Sequence, residues 1–397
     1  MTTKKVVRKK VKTSPQSHKK VIRRKRRRLK KSFIVFLIGV ISVIVLILGF
    51  IFIPRIMNSN KLKDLGYDRK TVSVIDKLDL TKDIIKNGYY STYLEESILD
   101  ESVNPKYLSL YAVRESDRPL QEKHFILYNR LLDSGYTNQQ VDNLFAKLDF
   151  FEISPLLVFD FQNDLSTYIQ DCLDHHSTNN EEHFELTNDY YTEYTNVKPV
   201  DDPSNINMLV NKTYHLSNSM VPPNLTPLSV VYAAQDVQLS LEAAKAFIEW
   251  CDAGINLGIR FYASSAYRPY NYQEDLYNAY TKSMGQEQAD ALSARPGHSE
   301  HQTGLTVDLA ASGSEGLSEY VDTPEYTWTS TNCQEYGWIL RYPKGKTQIT
   351  GYEFESWHYR YVGIDTAKAV VESKLTYDEY YCLYLKPWNN PELAYIK

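Results

Sequence analysis

Twenty-one consecutive residues without a charge, FIVFLIGVISVIVLILGFIFI from Phe33 to Ile53, predict a helix long enough to cross a bilayer, closing at Pro54. The run exceeds the apolar core of a cleavable signal peptide and lacks a small-residue cleavage site, so an uncleaved anchor is expected. Beyond it the apolar spacing becomes helical. Val72, Ile75 and Leu78 form one such run, and Val141, Leu144, Phe145 and Leu148 another. Each follows a Gly-Tyr step (Gly66-Tyr67-Asp68, Gly135-Tyr136-Thr137) whose Asp or Thr suits a helix cap. The steps recur irregularly, which argues against a solenoid. Residues 174–206 are polar and acidic with few aliphatics and read as a linker. From Asn211 the texture alternates between strands and helices. Leu241, Ala244, Phe247, Ile248 and Cys251 mark one face of a helix expected from Ser240 to Gly254. Ile259, Phe261 and Ala263 alternate with Arg260, Tyr262 and Ser264 as a half-buried strand does, and Gln273 to Met284 reads as a helix. Leu305, Val307 and Leu309 alternate with Thr306, Asp308 and Ala310, so a second strand should start after Gly304 and turn Asp308 away from the aliphatic face.

A length of 397 residues suggests two folded units plus appendages. Charge divides the chain sharply. Sixteen of its 45 basic residues lie in the first 31, which hold no Asp or Glu, leaving 29 against 49 acidic residues for the remainder. Because Lys and Arg stay on the cytoplasmic side of a span, the tail is expected inside, against anionic lipid, and residues 55–397 outside. Beside a membrane span, the basic run Arg23 to Arg28 does not call for nucleic acid. Cys172, Cys251, Cys333 and Cys382 all lie beyond the span, where disulfides are permitted, but their spacing matches no CxxC metal pattern and dictates no pairing.

The candidate chemistry begins at SEHQTGLTVD, residues 299–308. His301 sits just before the expected strand, and Gly304 lets the backbone bend so that His301 and Asp308 can reach one point. A catalytic zinc site usually needs three protein ligands plus water. ESWHYR, residues 355–360, offers the third. If extended, it places His358 and Arg360 on one face and Trp357, Tyr359 and Tyr361 on the other. Glu355, three positions earlier, would stand beside the ion without binding it, where a general base belongs. His175, His176, Glu182 and His183 have no apolar frame to gather them, so a solvated connection is the better reading there. A serine peptidase would need a Ser-x-x-Lys nucleophile. The only such spacing, Ser17 to Lys20, lies in the tail, and GxSxG, HExxH and phosphate-loop motifs are missing.

SxHxxGxxxD (Ser299, His301, Gly304, Asp308), ExWHxRYVG (Glu355 to Gly363) and SxYRP (Ser265 to Pro269) together resemble the VanY-type D-alanyl-D-alanine carboxypeptidases, zinc peptidases related to lysostaphin-like enzymes and the hedgehog domain. The resemblance covers residues 205–385. It implies an α+β zinc domain with a small antiparallel sheet, zinc held by His301, Asp308 and His358, and Glu355 as catalytic base. It places Arg268 beside the ion, against an oxyanion or substrate carboxylate, and has Gln273 and Ser299 contact substrate or support the ligands. Thr306 stands where alanine is usual, and His298 is expected at the pocket rim. The implied activity is removal of the C-terminal D-alanine from peptidoglycan stem peptides, with L,D-carboxypeptidase, endopeptidase or non-catalytic wall-binding roles as alternatives. The expected organisation is a basic tail (1–31), an anchor (32–54), a mostly helical spacer (55–173), a polar linker (174–206) and the zinc domain (207–397).

Overall fold

The computed structural model describes residues 31–115, 117–159, 164–311 and 316–395. The tail, with its lipid contact, therefore lies outside the described residues save for Lys31. Two units divide the chain, one ending at Val72 and the other running from Ser73 to Lys397.

In the first unit, helix α1 (Lys31–Leu65) carries the uncharged run. It does not stop at Pro54 as expected but continues eleven residues further. Proline deletes one intrahelical hydrogen bond, and the residues that follow, Arg55 to Lys63, resume the ladder.

The second unit begins with short helices. The best anchored are α2 (Glu122–Asp133), α3 (Asn138–Lys147) and α4 (Leu165–Asp174). Thr137 caps α3 as anticipated: its hydroxyl accepts the Gln140 N–H while the Gln140 amide oxygen accepts the Thr137 N–H. Helix α2 and the turn at Ser154 are docked against the C-terminal segment. Arg130 of α2 is buried, donates to the Leu383 and Lys386 carbonyls at 2.9 and 2.6 Å, and stacks 3.6 Å over the Trp388 ring. Asp133 accepts the backbone N–H groups of Asn389 and Asn390, and the Ser154 hydroxyl donates to Glu379 at 2.7 Å.

Residues 174–206, expected as a solvated linker, are packed instead. Phe184 and Leu186 are buried, the Phe184 N–H donates to the Gly345 carbonyl, and Asp171 accepts the N–H groups of Thr187 and Asn188. The histidines here do not gather: His175 bonds the Asp171 carbonyl, His176 pairs with Glu152, and His183 with Glu185.

A four-stranded antiparallel sheet carries the rest: β1 (Phe261–Ser265), β2 (Thr306–Ala311), β3 (Trp338–Leu340) and β4 (His358–Tyr361), in spatial order β1-β2-β4-β3. The long helix α5 (Leu241–Asn256) covers one face. Its buried side is Ala243, Ala244, Phe247, Trp250, Cys251 and Gly254, rotated from the expected stripe so that Leu241 is exposed. Trp250 lies 5.0 to 5.9 Å from the rings of Phe261, Tyr359 and Trp338, one from each of three strands. Strand β2 is buried along its whole length: Asp308 on its second face lines a cavity, and the 3₁₀ segments Glu300–Thr303 and Leu317–Asp322 pack against the strand. All four cysteines are buried and free, so no disulfide supports the fold.

Gly304 ends the turn that delivers His301. Its φ of +66° is a left-handed conformation, and an added Cβ would lie 3.2 Å from Leu225, Pro222 and the Ser240 nitrogen. Gly304→Ala should cost about 1–3 kcal/mol, read as a lowered urea midpoint with unchanged m-value. A midpoint equal to that of the unaltered protein would show that the turn tolerates a side chain.

Candidate metal centre

The sheet register brings the polar groups together. Asp308 on β2 pairs directly with His358 on β4 and, on its other side, with Ser265 on β1. His301 comes from the 3₁₀ turn Glu300–Thr303 that leads into β2. One nitrogen of His301, one of His358 and one oxygen of Asp308 lie within 4.8 Å of one another, and all three residues are buried. His301 Nδ1 donates to the Ala266 carbonyl at 2.5 Å, which turns Nε2 inward to 3.3 Å from Asp308 Oδ2. His358 turns Nδ1 inward, 3.3 Å from Asp308 Oδ1 and 3.2 Å from Glu355 Oε2. Glu355 is held by its own N–H, which donates to the Tyr342 carbonyl at 3.1 Å. Arg268 completes the ring, with Nη1 3.5 Å from Asp308 Oδ2.

Electrostatics favour a cation at this point. Burial lowers the His301 pKa to about 4, leaving it a neutral imidazole suited to ligation. Burial alone would raise Asp308, yet His301 and His358 hold it well below the ordinary carboxylate range. Burial pushes Glu355 up, opposed by His358. Burial also disfavours the charged form of His358, but Asp308, Glu300 and Glu355 outweigh it and hold the imidazolium well above its usual value. The carboxylates thus demand positive charge between them, and a divalent ion satisfies the same demand. His301 Nε2 and Asp308 Oδ1 are buried with no hydrogen bond among the described residues, as atoms reserved for an ion would be. Two imidazoles and a carboxylate are a donor set that suits a catalytic zinc ion.

A cavity of about 150 Å³ opens over this cluster. Tyr342, Tyr352, Trp357, Leu276, Leu292 and Leu317 supply much of its wall, and Ser299 also lines it. Gln273 does not. It sits buried on helix α6 (Tyr270–Met284), and its amide donates to Ser293 Oγ and the Ala294 carbonyl, so it steadies two wall residues. His298 also misses the rim: its ring bonds the Asn211 carbonyl at 2.8 Å and packs edge-on against Tyr194. Sequence reasoning overlooked Glu300, Arg341 and Asp378. Glu300 and Arg341 are fully buried side chains 2.9 Å apart, Asp378 pairs with Arg341 at 2.6 Å, and Arg360 joins Glu300 at 3.0 Å. Only Arg360, already placed on the His358 face of its strand, carried a signal.

A family model described as VanY, D-alanyl-D-alanine carboxypeptidase, matches residues 236–364. The putative carboxypeptidase YodJ of Bacillus subtilis (strain 168) is 36% identical over 214 residues, covering 52% of this chain and 78% of that protein. The bifunctional D-Ala-D-Ala dipeptidase and D-Ala-D-Ala carboxypeptidase VanXYC of Enterococcus gallinarum is 32% identical over 178 residues, covering 44% of this chain and 92% of its own. A solved structure of the vancomycin-resistance D,D-pentapeptidase VanY in complex with Zn(II) shares 30% identity, covering 45% of this chain and 99% of its own, at a TM-score of 0.39.

Proposed function

The chain belongs to the VanY family of D-alanyl-D-alanine carboxypeptidases, and we propose that it is a membrane-anchored zinc peptidase that removes the C-terminal D-alanine from peptidoglycan stem peptides. One observation carries the assignment: His301, Asp308 and His358 converge within 4.8 Å, with the Glu355 carboxylate 3.2 Å from His358 and free of the trio. Bound zinc supplies Lewis acidity toward the scissile carbonyl and the attacking water. Glu355 takes the proton from that water and passes it to the leaving amine. Arg268 is one-fifth exposed on the cavity side and presents its guanidinium to the oxyanion or to the terminal carboxylate of the substrate.

Helix α1 supports the anchor: the large apolar side chains of its uncharged run, Phe33 to Ile53, are exposed, as lipid contact requires. Anchoring would hold the peptidase near the membrane face, with the basic tail against anionic lipid on the opposite side.

Incubation of the purified protein with a stem pentapeptide should release D-alanine. A strong chelator should abolish release, and added Zn²⁺ should restore it. Binding of the peptide without release, at full zinc loading, would instead establish a wall-binding module.

A further inference from the structure

The metal-facing nitrogen of His358 is Nδ1, so its Nε2 points the other way, into the protein. There it meets Glu300 Oε2 at 3.5 Å. Both atoms are buried and neither has a hydrogen bond among the described residues, so each is the other's available partner. The second oxygen of Glu300 is fully engaged: Oε1 accepts from Arg341 Nε at 2.9 Å and from Arg360 Nη1 at 3.0 Å. Those arginines are fixed in turn. Arg341 makes a forked pair with Asp378 at 2.6 and 3.2 Å, and Arg360 Nη2 donates to the Ile206 and Met208 carbonyls, both at 2.9 Å. None of Glu300, Arg341 and Arg360 is exposed.

A buried carboxylate is costly unless its oxygens are satisfied. Two arginines on one oxygen account for its charge but leave the other aimed at an imidazole. When an ion takes Nδ1, the imidazole proton must sit on Nε2, where it faces Glu300. The opposite tautomer would set a lone pair against that carboxylate and leave no Nδ1 lone pair for the ion.

We propose that Glu300 is a positioning residue for the metal centre, holding the Nε2–H of His358 so that Nδ1 is presented as the ligand. The inference rests on the metal-ligand reading above and extends it to a residue outside the ligand set. Outer carboxylates of this kind typically contribute 10- to 100-fold in metal affinity.

Glu300→Gln keeps the side-chain shape and removes the acceptor charge. Zinc affinity, measured by competition with a chromophoric chelator, should fall 10- to 100-fold while circular dichroism stays unchanged. Affinity within threefold of the unaltered protein overturns the proposal. Should the variant not fold, ¹⁵N-histidine NMR of the unaltered zinc-loaded protein decides. An Nε2–H tautomer of His358 whose proton is downfield and slow to exchange supports the role, and an Nδ1–H tautomer overturns it. Both readouts register metal binding without turnover, so their failure leaves the peptidase assignment to be judged by D-alanine release alone.

Discussion

Glu355→Gln should leave zinc binding within a few-fold of normal and lower kcat for D-alanine release by about 10²–10⁴-fold, the usual contribution of a positioned general base. Glu355 lies beside the ligand trio without belonging to it, and its Oε2 is 3.2 Å from His358 Nδ1. The amide keeps that shape but cannot accept the water's proton. Separating the two readouts matters, because a residue that merely held His358 in place would change metal content as well. Full kcat with normal zinc content would remove Glu355 from the chemistry.

Asp308→Asn should have the opposite signature, with metal binding and turnover lost together. Asp308 faces both imidazoles at 3.3 Å and Arg268 at 3.5 Å, and it is the only carboxylate of the trio. An asparagine supplies a neutral oxygen in place of an anionic one and leaves Arg268 with no counter-charge there. Affinity should drop by more than the roughly 10- to 100-fold attached to an outer residue, since a direct ligand is removed. Equilibrium dialysis against buffered Zn²⁺ reads the loss. Wild-type metal content with normal turnover would mean that the ion sits elsewhere.

Part of this centre was legible along the chain because Asp308 and His358 come from strands, whose alternation announces which side chains share a face. Asp308 opposes the aliphatic face of Leu309 and Val307, and His358 alternates with Tyr359, so their pairing across β2 and β4 follows once the two strands are adjacent. Glu300, Arg341 and Asp378 gave no comparable signal. Their partnerships join positions 37 to 41 residues apart, and an isolated charge in a sequence looks like surface until its counter-charge is found. Residues 174–206 misled for a related reason. Phe184 and Leu186 are scattered among acids with no helical or strand period, and their burial depends on a loop at Gly345 that the local sequence does not reveal. The helical region was legible in its caps, as at Thr137, but not in its docking, which uses side chain-to-carbonyl bonds from Arg130 that no periodicity encodes.

The C-terminal segment serves two masters. Asp378 neutralises Arg341, which bonds Glu300 behind His358, while the adjacent Glu379 and the carbonyls of Leu383 and Lys386 grip the helical region through Ser154 and Arg130. The catalytic half is therefore not a detachable cartridge. Trimming the chain ahead of Tyr377 would strip the counter-ion of Arg341 from behind Glu300 and His358 and unmoor helix α2 in the same cut.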